Sequence, residues 1–404
     1  MLIVKNIDQV YAEISSFFPG ASLKTEEIGL ADALGRVLME DISALEDIPH
    51  FCRSTVDGWA VRSSDTFGAS DAFPAILKTG GEVLMGKKPQ VSVAPDTAIY
   101  VPTGGWVPDG ADAVVMIEFC EQLKNELLVY KPVSPGGSLI FCGDDARKGQ
   151  KVLSKGTVLG PKEVGTLAAL GRPRFLVAKK LVCGVISTGD ELVAAETPTD
   201  LGAAKMRDVN SWFTSSLLAK WGGEAVFCGI VRDDEDELLQ AVKAAREKYD
   251  MVLLSGGSSA GAKDNSLKVI ASLPDAEFLT HGLSVRPGKP TILGRAGNVP
   301  VIGLPGHPVS AFFIMQTVVR HIFYQLLSIC APIEPYISAV AGEKIPSNNG
   351  RDDFVPGYLK NGVFLPVPVK SGLITLLSAS NGYIRIEKQS EGMDKDAPVK
   401  VYLY

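Results

Sequence analysis

Hydrophobic and polar positions change their spacing along the chain, and the first region combines short helices with a β-rich stretch. Residues 8–18 have the spacing of an amphipathic helix with Asp8 as its N-cap, and a second helix is predicted around Thr25–Leu34. Between positions 41 and 133, short apolar runs are cut by glycine and proline, which predicts mostly β structure. The segment PKEVGTLAALG, residues 161–171, predicts a helix that its proline opens and its last glycine closes.

From about position 179 the pattern changes to buried-type strands that alternate with amphipathic helices. Such alternation is typical of parallel β-α-β units in a doubly wound sheet. The last segment, about 332–404, returns to a β pattern and predicts a small terminal barrel or sandwich. In the alternating region the predicted strands are 181–187, 224–230, 251–255 and 298–306, and the predicted helices are 210–222 with Asn210 as N-cap, 236–249 and 308–327.

Length and composition set the class of protein. A chain of 404 residues, at about 150 residues per domain, is expected to form roughly two to three domains. With 46% hydrophobic residues, 21% charged residues and no long apolar run, the protein is expected to be globular, neither secreted nor membrane-spanning.

The net charge of −6 argues against a general nucleic-acid surface, so any anion must bind in a local basic pocket. Six scattered cysteines suit buried free thiols in a reducing cytoplasm.

Three loops of unusual composition follow predicted strands, where ligands of open α/β sheets bind. They are STGDEL (187–192), SGGSSAGAKD (255–264) and GLPGHPVS (303–310). In the second loop, Gly256, Gly257 and Gly261 would let backbone N–H groups approach a phosphate closely. The loop matches neither the dinucleotide-binding glycine pattern nor the P-loop, so plain turn chemistry is an equally open interpretation.

Charged side chains in the same loops suggest a cation and an anion. Asp190, Glu191, Asp233 and Asp264 are all predicted near strand ends, and several carboxylates beside phosphates are what Mg²⁺ requires. Each of them alone is also explained as a solvated helix cap. The stiff turn VRPGKP (285–290) offers two cations, although a basic β-turn would have the same sequence. The four histidines lie too far apart in the sequence to suggest a zinc site.

The β-rich half contains two further candidates. In RSTVDGWAVR (53–62), Asp57 is followed by glycine and flanked by arginines, and in VPTGGWVPDGADAVVMIE (101–118), Thr103 precedes a Gly-Gly turn. Seen alone, each Asp-Gly pair also reads as a hairpin turn.

Taken together, these segments resemble the molybdopterin molybdenumtransferases, the bacterial counterparts of the gephyrin E domain. The resemblance covers nearly the whole chain in the family's order. The matching phrases are STVDGWAVR, PTGGWVPDGADAVVMIE, GDDARKG, LSKGTVLGPKEVGTLAALG, STGDEL, RDVN, GIVRDD, SGGSSAGAKD, VRPGKP and GLPGHPVS.

The resemblance implies a multidomain α/β plus β subunit that forms an elongated homodimer. It implies an active site between the α/β domain of one subunit and the β-rich half of the other. The expected parts are a segmented N-terminal α+β domain (1–24 and 140–178, with part of 40–52), an inserted β-rich domain (25–139), a doubly wound molybdopterin-binding α/β domain (179–328) and a C-terminal small β-barrel (329–404).

The implied reaction is insertion of molybdate into adenylylated molybdopterin, assisted by Mg²⁺, with release of AMP. The family similarity implies that Asp190, Glu191, Asp233 and Asp264 serve the metal and the pyrophosphate linkage, completed across the dimer by Asp57, Thr103 and Asp145. It also implies a molybdopterin adenylyltransferase and molybdoenzyme chaperones as partners. Expected binding residues are Ser187, Thr188, Gly189, Ser255, Gly256, Gly257, Ser258, Gly261, Pro305, Gly306 and Pro308 for the substrate, and Arg286, Lys289, Arg351 and Ser371 for the anion.

Several positions depart from the family pattern and bear on the anion site. The usual asparagine of the GLPGNP phrase is His307, and the usual glutamate of the GED phrase is Asp144. Ile140 stands where an arginine is common, and Gly282, beside His281, stands where a lysine is common. Ser258 likewise stands where valine is common.

Two other functions are compatible with parts of this pattern. The α/β domain alone also resembles the molybdopterin adenylyltransferases, which would use ATP. A catalytically idle dimeric scaffold, similar to gephyrin in its partner-binding role, is the third hypothesis; the grouped acidic loop residues argue against it.

Overall fold

The computed structural model describes residues 4–20, 23–198, 204–256, 260–368 and 370–404, with the backbone alone for 260–264. The chain forms two units with their own internal contacts. One comprises Met1–Glu26, Gly35–Val37 and Val177–Tyr404, and the other comprises Glu27–Leu34 and Leu38–Leu176.

A six-stranded sheet lies at the centre of the first unit. Four neighbouring strands run parallel, which confirms the predicted β-α-β organisation, and two more strands are added antiparallel at one edge. The strand Met251–Ser255 is buried along its whole length, as expected for a parallel strand covered on both faces. In spatial order the strands are Glu224–Val231, Val182–Thr188, Met251–Ser255, Val299–Leu304, Ile292–Ala296 and Ala276–His281.

Helices cover both faces of this sheet. Glu235–Lys248 and Ala260–Ala271 pack against each other on one face, where Val242 and Ile270 meet Val252 in a shared core. The helix Asn210–Lys220 packs against the helix that begins at Pro308 and against two of the parallel strands. The sheet is therefore doubly wound.

The helix that begins at Pro308 continues to Leu326 but widens into a π-helix at Met315–Val319. The Thr317 hydroxyl bonds the Phe313 carbonyl at 2.6 Å, and the Thr317 carbonyl accepts the Tyr11 hydroxyl at 2.7 Å. A π-turn interrupts the regular backbone hydrogen bonds of the α-helix and leaves carbonyl groups available for such contacts. The N-terminal helix Ile7–Phe17 is thereby joined to the α/β region.

Two predicted helix boundaries are wrong. Asn6, not Asp8, is the N-cap of the first helix, because its side chain and that of Gln9 bond each other's backbone N–H groups in a capping box. The predicted second helix is the strand Thr25–Gly29 and the short 3₁₀ helix Leu30–Asp32. In that strand tertiary context overrides the helix propensity of its glutamates.

The C-terminal region forms the expected small β-barrel. Five strands pair in a ring that closes between Asp352–Lys360 and Gly382–Ile386. The strand Val285–Arg286 of the VRPGKP segment adds to the barrel by pairing parallel with Asp352 and Asp353. The ring order is Asp352–Lys360, Val363–Pro366, Tyr336–Ala341, Pro398–Leu403 and Gly382–Ile386.

The second unit is mostly β, as the sequence predicts. Its six-stranded sheet has an apolar cluster on each face, because consecutive residues of Gly58–Val61 alternate between them: Trp59 joins one cluster and Ala60 the other. The helix Pro161–Ala169 begins at the predicted proline. In spatial order the strands are Ala113–Met116, Gly58–Val61, Thr97–Val101, Ala75–Glu82, Glu126–Val129 and Cys120–Leu123.

Short elements complete the described chain. They are the paired strands Ile42–Ser43 with Lys151–Leu153, Arg53–Ser54 with Leu139–Ile140, Leu192–Val193 with Met206–Arg207, and Ile345–Pro346 with Gly392–Met393; the strand Arg174–Ala178; the 3₁₀ helices Ser63–Thr66 and Ile117–Phe119; and the helix Ile374–Leu377.

The cysteines only partly match the expected buried thiols. All six are free, and Cys183 is buried in the sheet, where desolvation raises its pKa above the ordinary value. Cys142 and Cys330, by contrast, are exposed.

Within the described ranges, no helix combines the length and the apolar character that crossing a lipid bilayer would take.

The barrel core gives a stability prediction. Phe364 is 0% exposed and fills the space left by Gly357, where an added Cβ would lie 2.2 Å from the Phe364 ring. We expect Phe364→Ala to lower the free energy of unfolding by about 3–5 kcal/mol, measured by urea denaturation. The neighbouring Leu365, 47% exposed, is the matched control, and Leu365→Ala should cost far less. Equal losses in the two variants would contradict the packed barrel.

Candidate functional site

Four loops meet at the carboxyl edge of the parallel strands and, together with a segment that contains Gly372 and Ile374, enclose a cavity of ≈ 390 Å³, termed the small cavity below. Three of them follow the strands Val182–Thr188, Met251–Ser255 and Val299–Leu304, and the fourth precedes the helix Asn210–Lys220. Six predicted site residues line it: Thr188, Glu191, Ser255, Gly256, Gly306 and Pro308.

Two acidic residues that do not themselves line this cavity are connected to it through Thr188, which does. The Thr188 hydroxyl donates to Asp233 Oδ1 at 2.9 Å, and the Asp233 backbone N–H lies 3.4 Å from Asp190 Oδ1. The strand pairing of Val182–Thr188 with Glu224–Val231 brings these loops together, since both strands end at the same edge. Asp190 and Asp233, predicted from separate motifs, are therefore neighbouring residues, joined by a backbone N–H to carboxylate contact.

Asp208 is a buried carboxylate that the sequence analysis did not assign to the site. It is 4% exposed, lines the small cavity, and accepts the Ser187 hydroxyl at 2.6 Å and the Ser211 backbone N–H at 3.2 Å. A carboxylate that accepts an N–H group in the first turn of a helix acts as its cap. Asp208 thus takes the role predicted for Asn210, which lies inside the helix.

Asn210 instead ties the loops together. Its side chain, 6% exposed, donates to Ser255 Oγ at 2.7 Å and to the Gly306 carbonyl at 2.9 Å. One amide therefore bridges three of the four loops around the small cavity. The phrase RDVN, which the resemblance included without assigning roles, was the signal for both Asp208 and Asn210.

Two glycines allow the backbone to approach the cavity. A Cβ on Gly256 would lie 2.8 Å from Thr188 Cγ2, so a larger residue would displace the wall. Gly189 has φ of +152°, and a Cβ there would lie about 3.0 Å from the Glu191 carboxylate. Of the other predicted loop residues, Gly257 and Ser258 fall outside the described residues, and the side chain of Asp264 likewise is not described.

The predicted metal ligands are only partly described. Among the side chains that the structure describes, no group of three or more His, Cys, Asp or Glu is arranged to hold a metal ion. Asp190 and Asp233 are nevertheless adjacent, and Mg²⁺ is commonly held by one or two carboxylates plus substrate phosphates. The two residues supply carboxylate oxygens, the donor type that such a site would use.

A second cavity, of ≈ 490 Å³ and termed the large cavity below, lies between the VRPGKP turn and the barrel. Arg286, Lys344 and Ser371 are among the residues that line it. The Arg286 guanidinium holds the Asp353 carboxylate in a two-point contact, Nε to Oδ1 at 2.7 Å and a terminal nitrogen to Oδ2 at 2.7 Å. Arg286 is thus already paired with a side chain that is 3% exposed. Lys289 and Arg351, the other predicted anion contacts, are not among the lining residues described for either cavity.

The predicted residues of the second unit form local contacts there. Asp57 Oδ1 accepts the Thr103 backbone N–H at 2.7 Å, so the two motifs of the β-rich half are neighbours. Asp145 is exposed, and its backbone N–H bonds the Ile48 carbonyl at 2.9 Å. Asp144 closes the same turn by accepting the Phe141 backbone N–H at 2.7 Å.

Comparisons with known proteins agree with this arrangement. Three family models match in sequence order: the MoeA N-terminal region (domain I and II) at residues 5–171, a "probable molybdopterin binding domain" at 184–325, and the MoeA C-terminal region (domain IV) at 338–404. The molybdopterin molybdenumtransferase of Bacillus subtilis is 32% identical, covering 94% of this chain and 90% of the relative. The chain belongs to the MoeA family.

Other MoeA-family proteins are similar over comparable lengths. The molybdopterin molybdenumtransferase of Haemophilus influenzae is 31% identical over 87% of this chain and 85% of its own length. A crystal structure of the molybdopterin biosynthesis MoeA protein from Pyrococcus horikoshii OT3 is 32% identical, with a TM-score of 0.85, covering 99% of this chain and 100% of that one. The expected fold of a MoeA-family protein is therefore confirmed; the predicted domain boundaries stay predictions.

The bridging amide of this MoeA-family chain gives a second prediction. We expect Asn210→Ala to lower the free energy of unfolding by about 2–4 kcal/mol, because it removes two hydrogen bonds and leaves buried partners unsatisfied. Urea denaturation measures the loss, with Asn348→Ala at an exposed position as the control. A loss no larger than that of the control would show that the bridge does not stabilise the loops.

Proposed function

We propose that the protein inserts molybdate into adenylylated molybdopterin and releases AMP. The MoeA family serves molybdenum cofactor biosynthesis, and the curated relatives above are named molybdopterin molybdenumtransferase. The observation that carries the proposal is the small cavity at the carboxyl edge of the parallel strands, where ligands of open α/β sheets bind. Its walls combine hydroxyl, amide and carboxylate groups with a glycine backbone, a set suited to a phosphorylated heterocycle.

The phosphate end of the substrate is proposed to lie beside Thr188, Ser255 and Gly256. Hydroxyl groups can donate hydrogen bonds to phosphate oxygens, and so can backbone N–H groups at a glycine, where no Cβ keeps the phosphate away. The helix that starts at Pro308 points its N-terminal end toward the same cavity, because Gly306, His307 and Pro308 all line it. The partial positive charge of a helix N-terminus favours an anion.

Asp190 and Asp233 are the residues proposed to hold Mg²⁺, with Glu191 and Asp264 as the further predicted ligands. When bound, Mg²⁺ would neutralise charge on the phosphoanhydride between AMP and molybdopterin and so help it break. Thr188 keeps Asp233 in position by donating to one of its oxygens. Asp208, bonded by Ser187 and Ser211, is fully engaged in structure and is not proposed as a ligand.

The oxyanion is proposed to bind in the large cavity, where Arg286 and Lys344 supply positive charge beside the lining carboxylates Glu343 and Asp353, and Ser371 supplies a hydroxyl group. Molybdate carries two negative charges, and the protein as a whole carries a formal −6. Local cations must therefore offset the repulsion. Lys289 and Arg351 remain proposed contacts of the oxyanion. Their long side chains would have to extend to it when it is bound.

A homodimer is proposed to complete the site, with Asp57, Thr103 and Asp145 supplied by the second subunit. The proposal also includes a cytoplasmic location, an adenylyltransferase that supplies the substrate and molybdoenzyme chaperones that receive the product. Mixing Asp57→Ala with Asp190→Ala protein tests the shared site. Regained activity in the mixture, absent from either variant alone, is the expected result; no regain after subunit exchange would place both residues in one subunit's site.

The activity itself is tested by AMP release. Purified protein with adenylylated molybdopterin, Mg²⁺ and molybdate should release AMP, and Asp190→Asn and Asp233→Asn should slow release by about 100-fold or more because each removes a charge from the proposed metal site. Asp236→Asn, at an exposed position on the helix Glu235–Lys248, is the matched control. No release by wild-type protein would reject the proposal, and production of adenylylated molybdopterin from ATP would identify an adenylyltransferase instead.

A further inference from the structure

The small and large cavities share a wall made of two short chain segments. In one segment Pro308 lines the small cavity and the next residue, Val309, lines the large one. In the other segment Gly372 lines the small cavity and Ser371 lines the large one. In each segment, two consecutive residues therefore line different cavities.

Two hydrogen bonds hold these segments together. The Val309 backbone N–H donates to the Ser371 carbonyl at 3.0 Å, and His307 Nδ1 lies 2.8 Å from Ser371 Oγ. His307 lines the small cavity, whereas Ser371 lines the large one. The side-chain bond thus joins a group exposed to one cavity with a group exposed to the other.

The direction of this bond depends on what else Ser371 binds. A hydroxyl has one proton, so it either donates to His307 Nδ1 or donates elsewhere. If it donates to Nδ1, a neutral imidazole carries its own proton on Nε2 and can donate to a ligand. If an oxyanion in the large cavity takes the hydroxyl proton as a hydrogen bond, Nδ1 must carry the imidazole proton and Nε2 becomes an acceptor.

We propose that the His307–Ser371 pair is a positioning pair through which an oxyanion in the large cavity loosens a phosphate in the small cavity. The inference rests on the proposed function for the identity of the two ligands. When the oxyanion binds Ser371, the imidazole changes from a donor to an acceptor, and an acceptor repels the oxygens of a phosphate. Arrival of molybdate would then favour departure of AMP, the order that the proposed reaction needs.

Calorimetric titration of AMP, with Mg²⁺ present and with or without saturating molybdate, tests the coupling. The measurements are made at about pH 8, where imidazole in water is neutral. In the wild-type protein we expect molybdate to weaken AMP binding by about fivefold or more, within the usual range of coupling between sites. Chloride at the same ionic strength should not reproduce the effect.

Three single variants and one double variant separate the pair from a merely structural role. His307→Asn keeps an amide able to bond Ser371 but removes the second nitrogen that would donate to the phosphate. Without molybdate we therefore expect AMP to bind more weakly than in wild type, and we expect molybdate to change AMP binding by about twofold or less. Ser371→Ala should lose the coupling as well, and the double variant should lose no more than either single variant because the two residues act as one unit. Ser378→Ala, at an exposed position in the same segment, should keep the full coupling.

The outcomes distinguish the inference from the function on which it rests. If both ligands bind and the coupling is equal in wild type, His307→Asn and Ser371→Ala, the positioning pair is overturned and the proposed function stands. If AMP does not bind wild-type protein at all, the proposed function fails and the inference fails with it. If AMP binds but molybdate does not, the oxyanion assignment of the large cavity is overturned.

Discussion

Parallel pairing of three neighbouring strands is the constraint on which the candidate site depends. Because Val182–Thr188, Met251–Ser255 and Val299–Leu304 run in one direction, their following loops must emerge at one edge of the sheet. Asn210 and Gly306, 96 positions apart in the chain, are brought within hydrogen-bond distance there. Asn210 uses this convergence: its amide bonds two of those loops at once, so the shape of the small cavity depends on a single buried side chain.

Much of the fold was predictable because burial leaves a clear period in the sequence. The strand Met251–Ser255 and the helices Asn210–Lys220 and Glu235–Lys248 could be located, since a strand covered on both faces is a short continuous apolar run and a surface helix has an apolar stripe. The extended segment at Thr25–Gly29 could not be, because its residues prefer a helix and only tertiary context makes them a strand. The π-turn at Met315–Val319 likewise has no local signature; it is explained by Tyr11, some three hundred residues away.

The candidate site was predictable in its charged loop residues and not in its buried polar ones. Asp190 and Asp233 stand in recognisable phrases after strands, so their types and places both suggested ligands. Asp208 and Asn210 are ordinary in sequence, and their importance comes from the hydrogen bonds that the buried Asp208 carboxylate and Asn210 amide nitrogen make. Pairing of Arg286 with Asp353 was equally hidden, since it depends on a strand contact between two separate regions. The guanidinium of Arg286 is therefore held in place by a buried carboxylate, which the proposed oxyanion would have to share.

The pairing of Val285–Arg286 with the barrel strand Asp352–Lys360 also limits how this protein could be recombined. A chimera that replaced the terminal barrel with one from a distant relative would exchange both the backbone partner of the VRPGKP turn and the carboxylate that holds its arginine. The VRPGKP turn and the terminal barrel thus form one structural unit, although the turn lies in the region matched by the molybdopterin-binding family model and the barrel in the region matched by the MoeA C-terminal model. Crossovers between about residues 287 and 351 would divide that structural unit, whereas a junction before Val285 would leave it whole.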